Sequence, residues 1–551
     1  MRAGGIRAWV SRNPTEACLA LAAAISAAIL IHLNSQLTFV TDEWELLLNR
    51  RDWTAAAFLD PFHEHIVLAP TVIYRLLLGA FGMDSALPFQ VVAAAAFLAS
   101  AVLLFVHLRS RVGDWPALLA AILILFLGAA FEDLLFAFQV GYFGSVAAGL
   151  GMLIALDRGD STGDRIACLL VIVSLAFSSL GICFAVGALV QVLLSSRPRT
   201  GRYYVALLPI ELWVLWWLGW GHNAESDFSL GNLGDAPEFV FDSAAAGITS
   251  LFGLATGDGS EPDQPHLIYG QILLVAGVIL ATVHLRRLET FPRDLAIVVV
   301  IALSFWGLTA LNKTPERLAT SSRYQYPSAI FILLIAGEVL RGVRITRGAM
   351  LAGALVTATA AWSGMGLMFR EHDERWVPTS DSLKASLSGL EIAGPSGDPS
   401  FPVVFSPDIS VPLSDYLAVV QTDGSPAYDP LQLAARPDLD RATADTTMAT
   451  ALGLRLTSTT TPGPAAGCRD VTTASPGGLA VEAGPSTLLN RGDAPLAVQL
   501  GRFADGLPVG MGELPPGPPA LLSIPADGSP HPWRVGVFGP GTLTVCDSGA
   551  Q

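Results

Sequence analysis

The hydrophobic pattern divides the chain near residue 369. Before it, apolar runs recur at about 15–36, 88–107, 115–131, 141–156, 164–180, 181–195, 203–220, 267–284, 292–311, 324–340 and 348–369. A helix of about 20 apolar residues crosses a bilayer core, so this pattern predicts about eleven membrane helices within 1–369. Ile66–Met83 is apolar too, but it holds Pro70 and Arg75 and begins beside His63 and His65. It predicts a helix lying at the membrane surface. A further apolar segment near Phe239–Leu254, inside the loop 221–266, predicts a second surface helix, a lid or a plain connector. From 370 onward no run reaches spanning length. Short β-prone stretches at 401–405, 478–482, 496–500, 520–524, 533–538 and 542–546 alternate there with Gly/Pro breaks, the spacing of a β-sandwich. The expected fold is a polytopic α-helical membrane domain, 1–369, followed by a soluble β-rich, sandwich-like domain, 370–551.

Composition supports the membrane reading. The 551 residues are 52% hydrophobic and 14% charged, with mean hydropathy +0.52, whereas soluble chains carry roughly 25% charged residues. Net charge is −15, and the region from Arg370 holds 10 Lys/Arg against 20 Asp/Glu. Nothing basic points to nucleic acid. Arginine placement gives an orientation. With the N-terminus in the cytoplasm, the inner segments hold sixteen of the 32 Lys/Arg, among them Arg2, Arg7, Arg111, Arg197, Arg199, Arg202 and Arg341. The outer loops hold six: Arg50, Arg51, Arg75, Lys313, Arg317 and Arg323. That bias obeys the positive-inside rule and puts the C-terminal domain outside. Cys468 and Cys546 are the only cysteines of that domain, a pair compatible with a disulfide in an exported domain. The run Ala17–Leu33 reads as a retained first helix rather than a cleaved leader.

The candidate chemistry collects on the outer side. Thr41-Asp42-Glu43-Trp44 follows the first apolar run, and Phe62-His63-Glu64-His65 comes some twenty residues later. Ionisable groups at a membrane boundary are costly to bury and tend to be functional. Adjacent residues on a helix point about 100° apart, so Asp42 is the candidate general base and Glu43 a supporting carboxylate. On an extended segment His63 and His65 face one way. Asp42, His63 and His65 are therefore candidate ligands of a divalent metal, Mg or Mn, with a set of interfacial hydrogen bonds as the plainer alternative. Glu132, Asp133 and Gln139 belong to the second outer segment, Glu316, Arg317, Arg323 and Tyr324 to the last. A guanidinium fork matches phosphate; it also serves as a membrane-boundary anchor. The expected substrate-binding set is His63, His65, Glu132, Asp133, Gln139, Arg317, Arg323 and Tyr324, brought to one outer face.

Thr41-Asp42-Glu43-Trp44, His63-Glu64-His65 with Pro70, the segment Glu132-Asp133 to Gln139, and Ser322-Arg323-Tyr324 together resemble the GT-C superfamily of integral membrane glycosyltransferases, over roughly residues 15–369. The His-rich segment is similar to that of the protein O-mannosyltransferase branch, and the Glu132–Gln139 stretch to that of actinobacterial-type membrane proteins. Unlike that branch, His63 is not followed by Pro-Pro; Pro70 comes seven residues later. The resemblance implies an inverting transfer of a monosaccharide from a polyprenyl-phosphate donor to a cell-envelope acceptor (glycan, glycolipid or protein) on the extracytoplasmic face of the plasma membrane. Asp42 would then be the base, and Arg323 would hold the donor phosphate with a divalent metal assisting. Two rivals stand beside it. A transporter or flippase for a lipid-linked precursor needs ionisable residues within spans, where Glu211 and Glu338 lie only near ends. A non-enzymatic envelope assembly protein would bind through its C-terminal domain.

Overall fold

The computed structural model describes residues 11–195, 201–255, 265–288, 292–315, 317–459, 467–473 and 477–547. Arg2, Arg7, Arg197, Arg199 and Glu316 lie outside the described residues. The protein is mostly helical, with a C-terminal region of antiparallel sheets. It folds into two compact units. The first comprises Met1–Gln36, Asn49–Leu77 and Ala86–Trp376; the second comprises Leu37–Leu48, Leu78–Ser85 and Val377–Gln551.

Among the described residues, seven helices are long and apolar enough to cross a membrane: Pro14–Asn34, Leu87–Val112, Asp114–Leu134, Ala137–Asp157, Leu267–Leu285, Arg293–Leu311 and Arg347–Ser396. Every one of the eleven apolar runs contains a helix, but four of those helices are short: Ser161–Phe177, Gly181–Leu194, Tyr204–Gly219 and Gln325–Val339. The Ile66–Met83 run forms a helix of 14 residues, Leu68–Phe81, well under spanning length. The segment near Phe239–Leu254 forms the helix Ala236–Leu251, whose Ala244, Ala245, Ala246 and Gly247 are buried. It packs on Pro265–Leu285 and Gln325–Val339, and the Ser250 hydroxyl donates to Gln325 Oε1 at 3.0 Å.

Local chemistry sets several helix ends. Asp160 accepts from Gly163 N at 2.6 Å and Thr346 from Ala349 N at 3.2 Å, satisfying donors that the first turn leaves open. The span Asp114–Leu134 is interrupted by a 3-10 turn at Gly128–Ala130. There the backbone meets the helix Arg347–Glu371 directly: a Cβ on Gly128 would stand 1.7 Å from the Gly364 carbonyl oxygen, so only glycine fits. The core of this unit gathers where Leu87–Val112, Val140–Asp157 and Gln325–Val339 meet. Phe143 lies 5.3 Å from Phe97 and 4.9 Å from Tyr326 between ring centroids, and the Tyr326 hydroxyl donates to Ser100 Oγ at 2.7 Å. Charges at helix ends are paired off. Arg111 reaches Asp157 at 2.9 Å and also binds Glu338, while Arg202 forks onto Asp164 at 3.0 and 2.9 Å. Buried charges persist only with such partners.

The second unit is not β-structure alone. It begins with the helix Val377–Ala393, a hairpin of β1 (Pro402–Ser406) and β2 (Ile409–Pro412), and the helices Leu413–Asp423, Pro430–Ala434 and Asp438–Ala451. The strands β3 (Leu456–Ser458), β4 (Cys468–Thr472), β5 (Leu479–Val481), β6 (Gly484–Asn490), β7 (Leu496–Gly501), β8 (Val509–Leu514), β9 (Ala520–Ile524), β10 (Trp533–Phe538) and β11 (Thr542–Asp547) follow. They form two antiparallel sheets, ordered β3-β9-β6-β11-β4 and β5-β10-β7-β8. Alternation places Leu496, Val498 and Leu500 of β7, and Trp533, Val535 and Val537 of β10, in the core, as a half-buried strand requires. Cys468 and Cys546 stand opposite each other on β4 and β11 and form a disulfide.

Two further groups anchor this unit. Trp44 is fully buried, stacked on Phe405 at 4.1 Å, with its indole N–H donating to Phe39 O at 3.2 Å. Asp445, also fully buried, accepts from the backbone N–H groups of Arg502, Phe503 and Ala504 at 2.7, 3.0 and 3.0 Å. Burial works to raise its carboxyl and these three donors work against it, but the value stays above the ordinary one.

Candidate functional site

In the first unit, Phe62-His63-Glu64-His65 forms a tight reversal. Phe62 N donates to His65 O, and His65 N to Phe62 O, each at 3.0 Å. His63 takes φ +47 at the corner, the conformation that primed hairpin turns require at their first central position. Ser179 pins the turn from another segment: its hydroxyl donates to Glu64 O at 3.1 Å and accepts from Ile66 N at 3.3 Å. The turn thereby presents the Glu64 side chain to Arg317, 253 residues away, whose Nη1 donates to Glu64 Oε1 at 2.9 Å. Arg317 Nη2 lies 3.5 Å from Asp227 Oδ2.

A second carboxylate–arginine pair forms beside it. Glu132 belongs to the one-turn helix Phe131–Leu134 and Arg323 to the 3-10 turn Ser322–Tyr324. The two turns are stitched together. Glu132 N donates to Ser322 Oγ at 3.2 Å, the Ser322 hydroxyl donates to Ala129 O at 2.7 Å, and Arg323 N donates to Glu132 Oε2 at 3.1 Å. Arg323 Nε stands 3.8 Å from the same carboxylate oxygen, and Arg375 Nη2 3.9 Å from the other. Tyr324 lies in the fields of Arg323, Arg317, Glu64 and Glu132 together, so the two pairs share one neighbourhood. The His65 ring meets Tyr142 edge-on at 6.2 Å, and Gln139 precedes the helix Val140–Asp157 that carries Tyr142.

Burial would raise the Glu64 carboxyl, but the fields of His65 and Arg317 outweigh it and hold the group below its ordinary value. Burial also holds the His65 imidazole below its ordinary value, with Glu64 pulling the other way. Because His65 is thereby kept neutral at neutral pH, Arg317 supplies the lasting part of the field on Glu64. Three acceptors and one ring nitrogen here are buried without a hydrogen-bond partner among the described residues: Glu64 Oε2, both oxygens of Asp133, and His65 Nδ1. Such atoms are few in folded proteins, and each calls for a reason. Asp133 is fully buried, with Glu132 and Arg323 the charged groups bearing on it.

Asp42 and Glu43 belong to the second unit. Glu43 is fully buried and its Oε2 accepts from Val40 N at 2.9 Å, closing its own turn; Asp42 is partly exposed, next to Thr41 at φ +41. The sequence points to this pair as the reactive carboxylates; Glu64, between His63 and His65 in the outer set, carries no assigned role there. Nothing local in the sequence marks Glu64, because its partner arginine lies 253 residues away. As for a metal, no group of three or more His, Cys, Asp or Glu among the described residues is placed to hold one. The chain matches no known protein family, no curated protein and no solved structure.

Proposed function

We propose that the protein is a membrane glycosyltransferase of GT-C type that moves a monosaccharide from a polyprenyl-phosphate donor to a cell-envelope acceptor. One observation carries this reading. Two carboxylate–arginine pairs, Glu64 with Arg317 and Glu132 with Arg323, come from widely separated segments and meet around Tyr324. Guanidinium groups bind phosphate oxygens by charge-assisted hydrogen bonds, and developing negative charge on a departing phosphate is what such donors stabilise. A nearby carboxylate supplies a base for the acceptor hydroxyl. In this reading the four short helices complete an eleven-span bundle, the lipid tail of the donor lies along apolar helices, and the acceptor is a glycan, glycolipid or protein. The disulfide supports an extracytoplasmic location for the two-sheet, sandwich-like region, since such bonds persist in oxidising compartments.

The transporter reading draws on a separate observation. Asp133, fully buried and without a hydrogen-bond partner among the described residues, is the kind of intramembrane acid that lines transport paths. Full-length protein in sealed lipid vesicles, given a polyprenyl-phosphate hexose and a soluble glycoside acceptor, separates the two. The transferase reading expects a glycosidic product of inverted anomeric configuration. Unchanged donor that crosses the bilayer of a sealed vesicle, with no product, would favour transport.

A further inference from the structure

We propose that Glu64 is the proton acceptor of the transfer, and that the donor phosphate creates this base by displacing Glu64 from Arg317. The inference rests on the transferase reading above. Arg317 and Arg323 are already engaged by carboxylates: Arg317 by Glu64 at 2.9 Å, with Asp227 at 3.5 Å, and Arg323 near Glu132 at 3.8 Å. A phosphate arriving at Arg317 meets Glu64 already in the position it must take. With Glu64 and Asp227 already on this guanidinium, a phosphate is a third anion there, and the added repulsion is relieved when Glu64 leaves Nη1 to it. Asp227 faces the other terminal nitrogen, Nη2, at 3.5 Å, so the competition between phosphate and Glu64 is for Nη1.

The released group is suited to its task. Glu64 Oε2 is buried without a hydrogen-bond partner among the described residues, so its lone pairs are not committed to another protein group. The turn that carries Glu64 is fixed by Ser179 and by its own two backbone hydrogen bonds, so the side chain moves while its backbone stays. Separation from Arg317 removes one of the fields that oppose burial, and the carboxylate becomes a stronger base when a donor is present. The balance of the step is simple. The acceptor O–H proton passes to Glu64 as the acceptor oxygen bonds to the anomeric carbon. The bond from that carbon to the phosphate oxygen breaks, and its electron pair leaves on the phosphate, held by Arg317 and Arg323. When polyprenyl phosphate departs, Glu64 loses its proton to water and returns to Arg317.

The test is the full-length protein in nanodiscs with two readouts: transfer rate against pH, and affinity for bare polyprenyl phosphate. Glu64→Gln is expected to lower the rate on the order of 10²- to 10³-fold, the usual span for loss of a general base. It should also erase the acidic limb of the pH profile and bind bare polyprenyl phosphate several-fold more tightly, because Arg317 no longer has an anionic rival. Glu64→Asp should keep part of the rate and the acidic limb, which guards against a variant that merely misfolds. A Glu64→Gln protein with the wild-type rate, or one that binds polyprenyl phosphate no more tightly than wild type, would overturn the inference and leave the transferase reading standing. A wild-type protein that binds polyprenyl phosphate yet transfers no sugar would overturn both.

Discussion

Replacing Trp44 by alanine decides what the Thr41–Trp44 segment is for. The indole is fully buried, lies face to face with Phe405 at 4.1 Å, and donates to Phe39 O at 3.2 Å. Truncating a buried Trp costs about 3–5 kcal/mol, and the lost ring contact adds about 0.5–1.5. A loss on the order of 5 kcal/mol is comparable with the lower end of domain stability, about 5–15 kcal/mol. The second unit should therefore open while the apolar helices of the first persist. Amide hydrogen exchange on the protein in nanodiscs reads this directly. Protection should fall in β1 and in the helix Leu413–Asp423, whose Tyr416 also meets Trp44, and should hold in Leu87–Val112. A Trp44→Ala protein with wild-type protection and no transfer activity would refute the structural role and return the segment to the chemistry.

Three further outcomes are expected. Asp445→Ala strands three backbone N–H donors, so chemical denaturation should show the second unit weakened by on the order of 3 kcal/mol. The Cys468→Ser/Cys546→Ser pair opens a loop of 78 residues, and loop entropy predicts a loss of roughly 4 kcal/mol by the same measurement. His65 is held below its ordinary value by burial. The unfolded chain therefore takes up a proton near pH ~6.5 that the folded site refuses, and stability should fall as pH drops below that point. Glu64, held low as well, acts in the same direction at lower pH. His65→Phe should flatten the first part of this acid limb in thermal melts.

Much of the architecture was legible in the chain, because apolar length and period-2 alternation are local properties. All eleven apolar runs contain helices, and the six β-prone stretches coincide with β1, β5, β7, β9, β10 and β11. The Cys468–Cys546 pairing followed from there being two cysteines in the region. What was hidden depends on partners far along the chain. The helices between Val377 and Ala451 are weakly apolar and look like loop in a Gly/Pro-rich context. Thr41–Trp44 reads as a membrane-boundary acidic motif, yet Trp44 and Glu43 are buried and serve the packing and turn geometry of the second unit. An acid chosen for proximity to another acid proved less informative than one chosen for an arginine it could reach: Glu64 and Arg317 are 253 residues apart, and no periodicity encodes that pairing.

The most direct measurement is sugar transfer from a defined polyprenyl-phosphate hexose by full-length protein in nanodiscs, wild type against Arg317→Ala/Arg323→Ala. The two guanidinium groups together should be worth on the order of 10²-fold or more in rate, as lost oxyanion donors are, with thermal melts showing a folded variant. Transfer at the wild-type rate by the doubly substituted protein would contradict the account.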